Sequence, residues 1–145
     1  MTVATAPPIV VVRRRIAASA AELFDAWLDP AALAQWMRPG PIQRTTASVD
    51  ARVGGRYEII MEIDARAIPH RGEYLAIDPP RRLVFTWNSP NTGDQDTLVA
   101  VDFLAAGADT EVVITHQQLP DDARAGHERG WTSALEKLEA HYARS

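Results

Sequence analysis

PHRGEYLAIDPPRRLVFTW, residues 69–87, decides the fold of this chain because it contains two β-strands separated by a forced turn. Proline fixes φ and has no backbone N–H, so neither Pro79 nor Pro80 can lie inside a central strand. After the prolines, Leu83, Phe85 and Trp87 recur at every second position, which is typical of a strand with one strongly apolar face. The stretch therefore predicts a sheet that buries one face against another layer.

Turn signals divide the sequence on both sides of this stretch into further strands. Gly54 and Gly55, the segment 89–94 and the segment 105–109 are rich in the residues that turns require. We predict a first strand over residues 9–16, followed by six more over residues 42–49, 56–63, 68–77, 83–88, 97–104 and 110–117. Antiparallel pairing of sequence neighbours is the simplest topology for strands joined by short turns.

Three helices are predicted around these strands. Ser19 with Glu22 forms a capping pattern for a first short helix, and Asp29 followed by Pro30 begins a second one, which ends at Pro-Gly-Pro over residues 39–41. A long terminal helix is predicted from about Asp122 to about Tyr142, with Asp121 as its N-cap. Its stripe of inward positions comprises His127, Trp131, Leu135, Leu138 and Tyr142.

Composition limits the classes of function. The 145 residues, 46% of them hydrophobic, suit a single domain over residues 1–145, in which residues 1–8 form a flexible leader. The absence of cysteine excludes disulfides and thiolate ligands. A net charge of −4 without a general basic field argues against nucleic acid as a partner. The longest apolar run, residues 9–12, is too short to span a membrane, so we expect a cytoplasmic protein.

These elements together predict an α+β fold of the helix-grip type, in which a curved antiparallel sheet wraps around the long C-terminal helix. A curved sheet and one helix are difficult to bring together along their whole length. A pocket is therefore expected between the open end of the sheet and the helix.

Four segments carry a family resemblance: ASAAELFDAWLDPAALAQWM, VGGRYEIIME, the opening stretch and ITHQQLPDDARAGHERGWTSALEKLEAHY. In this order they resemble the activator of heat shock protein 90 ATPase homologue family, within the START-like (SRPBCC, polyketide cyclase/lipid transport) superfamily. The resemblance implies a cavity of the kind in which members of the superfamily bind lipids, hormones or polyketides. Some of those members catalyse cyclisation or dehydration in this cavity. The co-chaperone that names the family uses a second, N-terminal domain for much of its chaperone contact, and we expect no such domain here.

The candidate pocket residues come from the inward positions of the strands and helices. Most of them are expected to pack in the core, and the others to line the pocket. The apolar candidates are Trp36, Tyr57, Ile59, Met61, Phe85, Trp87, Val101, Phe103, Ile114, Trp131 and Leu135.

Four polar side chains join this set. His116 follows Val112 and Ile114 at period two, and His127 lies on the helix stripe, so the two rings are expected to approach each other. Each histidine either acts on a ligand as an acid, a base or a hydrogen-bonding group, or simply orders the junction between strand and helix. His70 and Glu73 form either a polar cluster in the pocket, with Glu73 as base, or cross-strand pairs with the preceding strand.

Two glycines in the terminal helix, Gly126 and Gly130, need a reason, because each costs about 1 kcal/mol relative to alanine. Either another element approaches closely there or the helix bends to follow the sheet, or the missing side chains make room for a ligand. The four histidines show no HxxxH or HExxH spacing, so we expect no metal and no cofactor.

Three functions are compatible with this sequence. The leading hypothesis is a binding protein, rather than an enzyme, that holds a hydrophobic or amphipathic small molecule between sheet and helix. The alternatives are an enzyme of the polyketide cyclase or dehydratase type that uses pocket His and Glu residues, and a co-chaperone-like protein-interaction module. An exposed strand edge would also allow a homodimer.

Overall fold

A seven-stranded antiparallel sheet curls around a long C-terminal helix in the computed structural model, which describes residues 9–142. The predicted leader, residues 1–8, lies outside the described residues. The strands are β1 (Val10–Ile16), β2 (Arg44–Val49), β3 (Arg56–Ile63), β4 (Arg66–Asp78), β5 (Arg82–Trp87), β6 (Thr97–Ala106) and β7 (Asp109–Gln117). The helices are α1 (Ala20–Leu28), α2 (Pro30–Trp36) and α3 (Arg124–Tyr142). The predicted α+β helix-grip fold is confirmed.

The sheet order is β1-β7-β6-β5-β4-β3-β2, so the strands from β2 to β7 pair with their sequence neighbours as predicted. The first strand joins at the other end, where Val12 lies opposite Ile114. Two arginines of β1 form ion pairs with neighbouring elements. Arg15 pairs with Asp109 of β7 at 2.9 Å, and Arg14 pairs with Glu139 of α3 at 2.7 Å.

The opening stretch forms β4, a tight turn and β5. Asp78 and Arg82 pair across the turn, and Arg81 donates its backbone N–H to the carbonyl of Asp78 at 2.7 Å. Leu83, Phe85 and Trp87 are all buried, while the residues between them are half-buried. The predicted strand with one apolar face is therefore present.

The predicted caps of the first two helices are confirmed, and that of the third is wrong. Ser19 and Glu22 form a complete capping box, and Asp29 accepts a bond from the backbone N–H of Ala31 at 3.0 Å. Asp121 makes no such bond, because residues 121–123 form a 3-10 turn in front of α3. Its carboxylate instead lies 3.5 Å from the guanidinium of Arg124, the first residue of α3.

The core lies between α3 and the concave face of the sheet. Trp131, Ala134, Leu135 and Leu138 of α3 are buried there. Trp27 packs edge-on against Trp36 at 4.8 Å between ring centroids and also meets Trp131 at 5.9 Å. The two short helices thus close one side of the same core, and they leave α3 free to border a cavity at its N-terminal end.

Candidate functional site

A cavity of about 680 Å³ opens between the first half of α3 and the end of the sheet. The loop between α2 and β2 forms a second wall, and the ends of β3, β4 and β5 form the floor. Its lining is mostly apolar and consists of Met37, Pro39, Gly40, Pro41, Ile42, Met61, Ile68, His70, Trp87, Asn91, Asp122, Ala123, Gly126, His127, Arg129, Gly130, Trp131, Ser133 and Ala134. The cavity occupies the place where the sequence predicts a pocket.

The structure brings five of the predicted site residues together around this cavity: Met61, His70, Trp87, His127 and Trp131. Three others, Tyr57, Ile59 and Phe85, contact only a neighbouring void of about 10 Å³, which is too small for an organic ligand. The remaining candidates on the concave side are buried in packing and border neither space: Trp36, Val101, Phe103, Ile114, His116 and Leu135.

Glu73 does not line the cavity. His70 and Tyr74 are buried on the concave face of β4, so Glu73, at an odd spacing from both, lies on the opposite face. It is opposite Arg56 in the ladder, and its neighbour Arg71 pairs with Glu58 at 2.7 Å. Glu73 and Arg56 are therefore cross-strand neighbours in register, while Glu58 forms its ion pair with Arg71, and Glu73 is not placed to act as a base in the cavity.

His116 belongs to a buried chain of hydrogen bonds that fixes its protonation. The indole N–H of Trp131 can only donate, so Nδ1 of His116, 3.0 Å away, must accept. The proton is then on Nε2, which donates to the hydroxyl of Thr97 at 2.7 Å, and that hydroxyl donates to the carbonyl of Trp87 at 2.6 Å. Burial, followed by the nearby His127, lowers the pKa of His116 to about 3. Both ring nitrogens are engaged, so His116 fastens β7 to α3.

His127 approaches His116 as predicted, with ring centroids 5.1 Å apart and nearly perpendicular planes. Its Nδ1 lies 2.8 Å from the carbonyl oxygen of Ala123, which can only accept, so Nδ1 carries the proton of the neutral ring. Burial lowers the pKa of His127, and the carbonyl of Ala123 opposes that shift. Nε2 is left as an unprotonated acceptor on a residue that lines the cavity.

His70 is buried on the floor of the cavity. Its Nδ1 lies 3.3 Å from the carbonyl oxygen of Ile59, and its ring packs at a tilt of 41° against Trp87, with ring centroids 4.9 Å apart. Burial lowers the pKa of His70 to about 4, against the effect of the Ile59 carbonyl. The cavity therefore contains two neutral imidazoles near pH 7.

Trp87 stands between His70 and Trp131, and its ring lies 5.0 Å from that of Trp131. Only 4% of its surface is exposed, and its indole N–H has no hydrogen-bond partner among residues 9–142. A buried donor without a partner is unusual in a folded protein. The nitrogen itself is buried, so Trp87 borders the cavity with its ring and does not present this N–H to it.

The two helical glycines border the cavity. A Cβ atom built on Gly130 meets no atom within 4 Å, and one on Gly126 meets only the guanidinium of Arg129 at 4.0 Å. No element approaches them closely, so the explanation by close approach is wrong. Both glycines line the cavity, and the space beside their Cα atoms is open.

Sequence reasoning missed the wall formed by residues 39–42, because it treated residues 39–41 only as the end of a helix and residue 42 as the start of a strand, which in fact begins at Arg44. Long-range bonds hold this loop beside α3, because Gly40 N–H donates to Ser133 Oγ at 2.7 Å and Lys137 Nζ to the carbonyl of Arg38 at 2.8 Å. No local pattern indicates such bonds. Ala134 was detectable, since it lies three residues after Trp131 on the inward stripe.

Residues 9–142 contain no group of three or more His, Asp or Glu side chains placed to hold a metal ion. None of the described helices has the length and apolar character that a membrane span requires.

The fold recurs in solved structures. Protein CV1439 from Chromobacterium violaceum superposes with a TM-score of 0.82 at 23% identity, covering 95% of this chain and 99% of that one. An HSP90 activator from Plasmodium falciparum, PFC0360w, gives 0.74 at 22% identity, with 92% and 94% covered. CalU16 from Micromonospora echinospora gives 0.70 at 23% identity, with 91% and 74% covered. At these identities the likeness shows the fold alone.

Comparison with curated proteins gives no match. The family described as "Activator of Hsp90 ATPase homolog 1-like protein" matches residues 17–143, which is nearly the whole length of the described fold. The matched region includes α1, the whole meander from β2 to β7 and α3, and therefore every element that borders the cavity. The chain belongs to the activator of Hsp90 ATPase homologue 1-like family, within the START-like superfamily.

Proposed function

We propose that this protein binds a hydrophobic or amphipathic small molecule in the cavity between α3 and the sheet, without a cofactor. The observation that carries the proposal is the cavity itself, about 680 Å³ in volume and lined mostly by apolar side chains. Pockets for organic ligands commonly measure about 300 to 1,000 Å³ and have such walls. Gly126 and Gly130 support it, because a sequence that needed only a stable helix would have alanine there.

The neutral fluorophore N-phenyl-1-naphthylamine (NPN) is a suitable probe, because its emission rises on transfer from water to an apolar site. Titration of the wild-type protein should give saturable binding with one site per chain. Gly130→Leu should abolish this binding, since the new side chain would project into the cavity, where a Cβ atom meets nothing within 4 Å. The matched control is Ala140→Leu, which adds the same bulk at an exposed position of α3 outside the cavity.

Displacement of NPN by fatty acids, sterols and aromatic polyketides would then identify the class of ligand, and a bound ligand should also raise the melting temperature. Absence of saturable NPN binding, together with no thermal shift from any of the three classes, would contradict the proposal. Equal binding by the wild type and Gly130→Leu would contradict the assignment to this cavity.

Catalysis by the same cavity has weaker support. Glu73 lies on the other face of the sheet and both nitrogens of His116 are engaged, so His127 and His70 are what remains of the acid–base candidates that the sequence predicts. Their lowered pKa values make them weak bases at neutral pH. The similarity to an HSP90 activator, at 22% identity, supports the shared fold. Whether this protein also binds a chaperone is tested by a pull-down with that chaperone.

A further inference from the structure

Full charges are scarce around the cavity and lie where it opens to solvent. Among the lining residues only Arg129 of α3 and Asp122 of the 3-10 turn before it are ionised at neutral pH. The two lining histidines are neutral there, because burial lowers the pKa of each. Both charged side chains are exposed, whereas most of the wall is apolar. A charged group of a ligand would therefore meet these two side chains at the mouth of the cavity.

The charged end of Arg129 lies at the cavity wall. Its Nη2 is 4.0 Å from the position that a Cβ atom would take on Gly126, which is itself a lining residue. The two residues are three positions apart on α3, and side chains at this spacing share one face of a helix. Because glycine has no side chain, nothing at position 126 separates the guanidinium from the open space beside it.

Arg129 has no partner in the part of the chain that the structure describes. No carboxylate lies within 4.0 Å of its guanidinium, and the guanidinium donates no hydrogen bond. The other described Arg and Lys residues of α3 are engaged: Arg124 pairs with Asp121 at 3.5 Å, and Lys137 donates to the carbonyl of Arg38 at 2.8 Å. The N–H donors of Arg129 are therefore available to a ligand.

Asp122 does not neutralise this positive charge. Within residues 9–142 no ion pair joins its carboxylate to the guanidinium of Arg129. A guanidinium presents a planar fork of N–H donors that fits two oxygens of one anionic group. Since this fork has a defined position at the wall, the geometry favours an anionic head group over a cationic one.

We propose that the cavity binds an amphipathic anion, with its apolar part between α3 and the sheet and its anionic head group at the mouth, against the guanidinium of Arg129. This inference rests on the proposed function and adds the charge of the ligand and its orientation. The head group stays in contact with water, so its charge avoids the high cost of burial among apolar side chains. Arg129 is then the residue that determines specificity.

Three ligands with the same ten-carbon chain test the inference by displacement of NPN at neutral pH, below the concentrations at which they form micelles. Decanoate has an anionic head group, 1-decanol a neutral one and decyltrimethylammonium a cationic one. Wild-type protein should bind decanoate about fivefold more tightly than 1-decanol, because an ion pair open to solvent contributes about that factor at most. Decyltrimethylammonium should bind least tightly. About 0.5 M sodium chloride should reduce the preference for decanoate by screening the pair.

Arg129→Gln removes the charge and should bind decanoate and 1-decanol about equally. The matched control is Arg124→Gln, which removes the same charge from an exposed position of α3 outside the cavity and should keep the preference. Far-ultraviolet circular dichroism checks that both variants fold.

The possible outcomes separate this inference from the proposed function. Saturable NPN binding without a preference for decanoate, or with a preference for decyltrimethylammonium, would overturn the inference and leave the proposed function standing. A preference for decanoate that survives in folded Arg129→Gln would also overturn the inference. If that variant does not fold, the wild-type ligand series and its dependence on salt still decide. Failure of NPN and of all three ten-carbon ligands to bind would overturn both.

Discussion

Three of the four histidines are held neutral by the residues around them. For His70, His116 and His127 alike, burial is the largest cause of the lowered pKa. The hydrogen-bond chain from Trp131 through His116 to Thr97 has no place for a second proton on the ring of His116. The junction between β7 and α3 therefore depends on a neutral imidazole.

Acid should destabilise the protein in a predictable window. In the folded state the pKa of His70 is about 4 and that of His116 about 3, both below the unfolded value of 6.5, so the unfolded chain binds more protons. Their contribution is fully present above pH 6.5 and is lost as pH falls toward 4 and then 3. From pH 7 to pH 5 each should remove about 2 kcal/mol from the free energy of unfolding. Urea denaturation at several pH values measures this.

Substitution of His116 separates its contribution to the acid-induced loss of stability from the contributions of other titratable groups. His116→Gln cannot titrate and should reduce the loss between pH 7 and pH 5 by about 2 kcal/mol, whereas exposed His141→Phe should leave the loss unchanged. A free energy of unfolding that stays constant from pH 7 to pH 5, or a His116→Gln profile identical to that of the wild type, would contradict the assignment.

The terminal helix combines two halves with different roles. Residues 124–130 include no large apolar side chain and border the cavity, whereas residues 131–142 contribute Trp131, Leu135 and Leu138 to the core. Glycine at positions 126 and 130 lowers the helix propensity of the first half. In a folded protein this composition is consistent with a segment shaped for a ligand at the expense of stability.

Replacing Gly126 and Gly130 by alanine should stabilise the protein and weaken its binding. Each Gly→Ala change should raise the free energy of unfolding by about 0.5 to 1 kcal/mol through helix propensity, since neither Cβ atom meets an obstacle. The added methyl groups should lower the affinity for NPN because they project into the cavity. Urea denaturation and NPN titration measure the two effects on the same samples.

Gly72 on β4 provides the opposite case. A Cβ atom there would overlap the carbonyl oxygen of Thr86 and lie 2.6 Å from the hydroxyl of Tyr57. Gly72→Ala should therefore destabilise the protein by about 1 to 3 kcal/mol. If Gly126→Ala and Gly130→Ala also lowered the free energy of unfolding, the claim that open space surrounds these two glycines would be wrong.

Elements with a local signal were predictable, and contacts between distant elements were not. Leu83, Phe85 and Trp87 identify β5 through alternation alone, and Ser19 with Glu22 marks the start of α1. The 3-10 turn before α3 was missed because Asp121 satisfies the pattern of an N-cap equally well. Two arrangements of Glu73 stayed open because a β-bulge would reverse which face of β4 it lies on, and sequence does not locate bulges. The register shift of β4 lies between Tyr74 and Ala76, so it does not change the facing of Glu73.

Across the whole molecule, the region between the concave face of the sheet and α3 is tightly packed at one end and open at the other. At the closed end, Phe24 meets Phe103 at 5.4 Å, and α3 is fastened by Arg14 to Glu139 and by the hydroxyl of Tyr142 to the carbonyl of Glu22. At the open end the same sheet and helix enclose the cavity. Stability should therefore fall along α3 from its C-terminal to its N-terminal half.

Hydrogen exchange along α3 provides a test of this gradient. Amides of residues 125–130 should exchange at least about tenfold faster than those of residues 132–138, because few buried apolar contacts oppose local opening of the first half. Saturation with NPN should slow exchange in the first half and leave the second nearly unchanged. Gly130→Leu, in which the cavity is filled, should show no response to NPN. Uniform protection along α3, unaffected by NPN in the wild type, would show that the helix opens as one unit, and it would contradict a ligand site beneath its first turns.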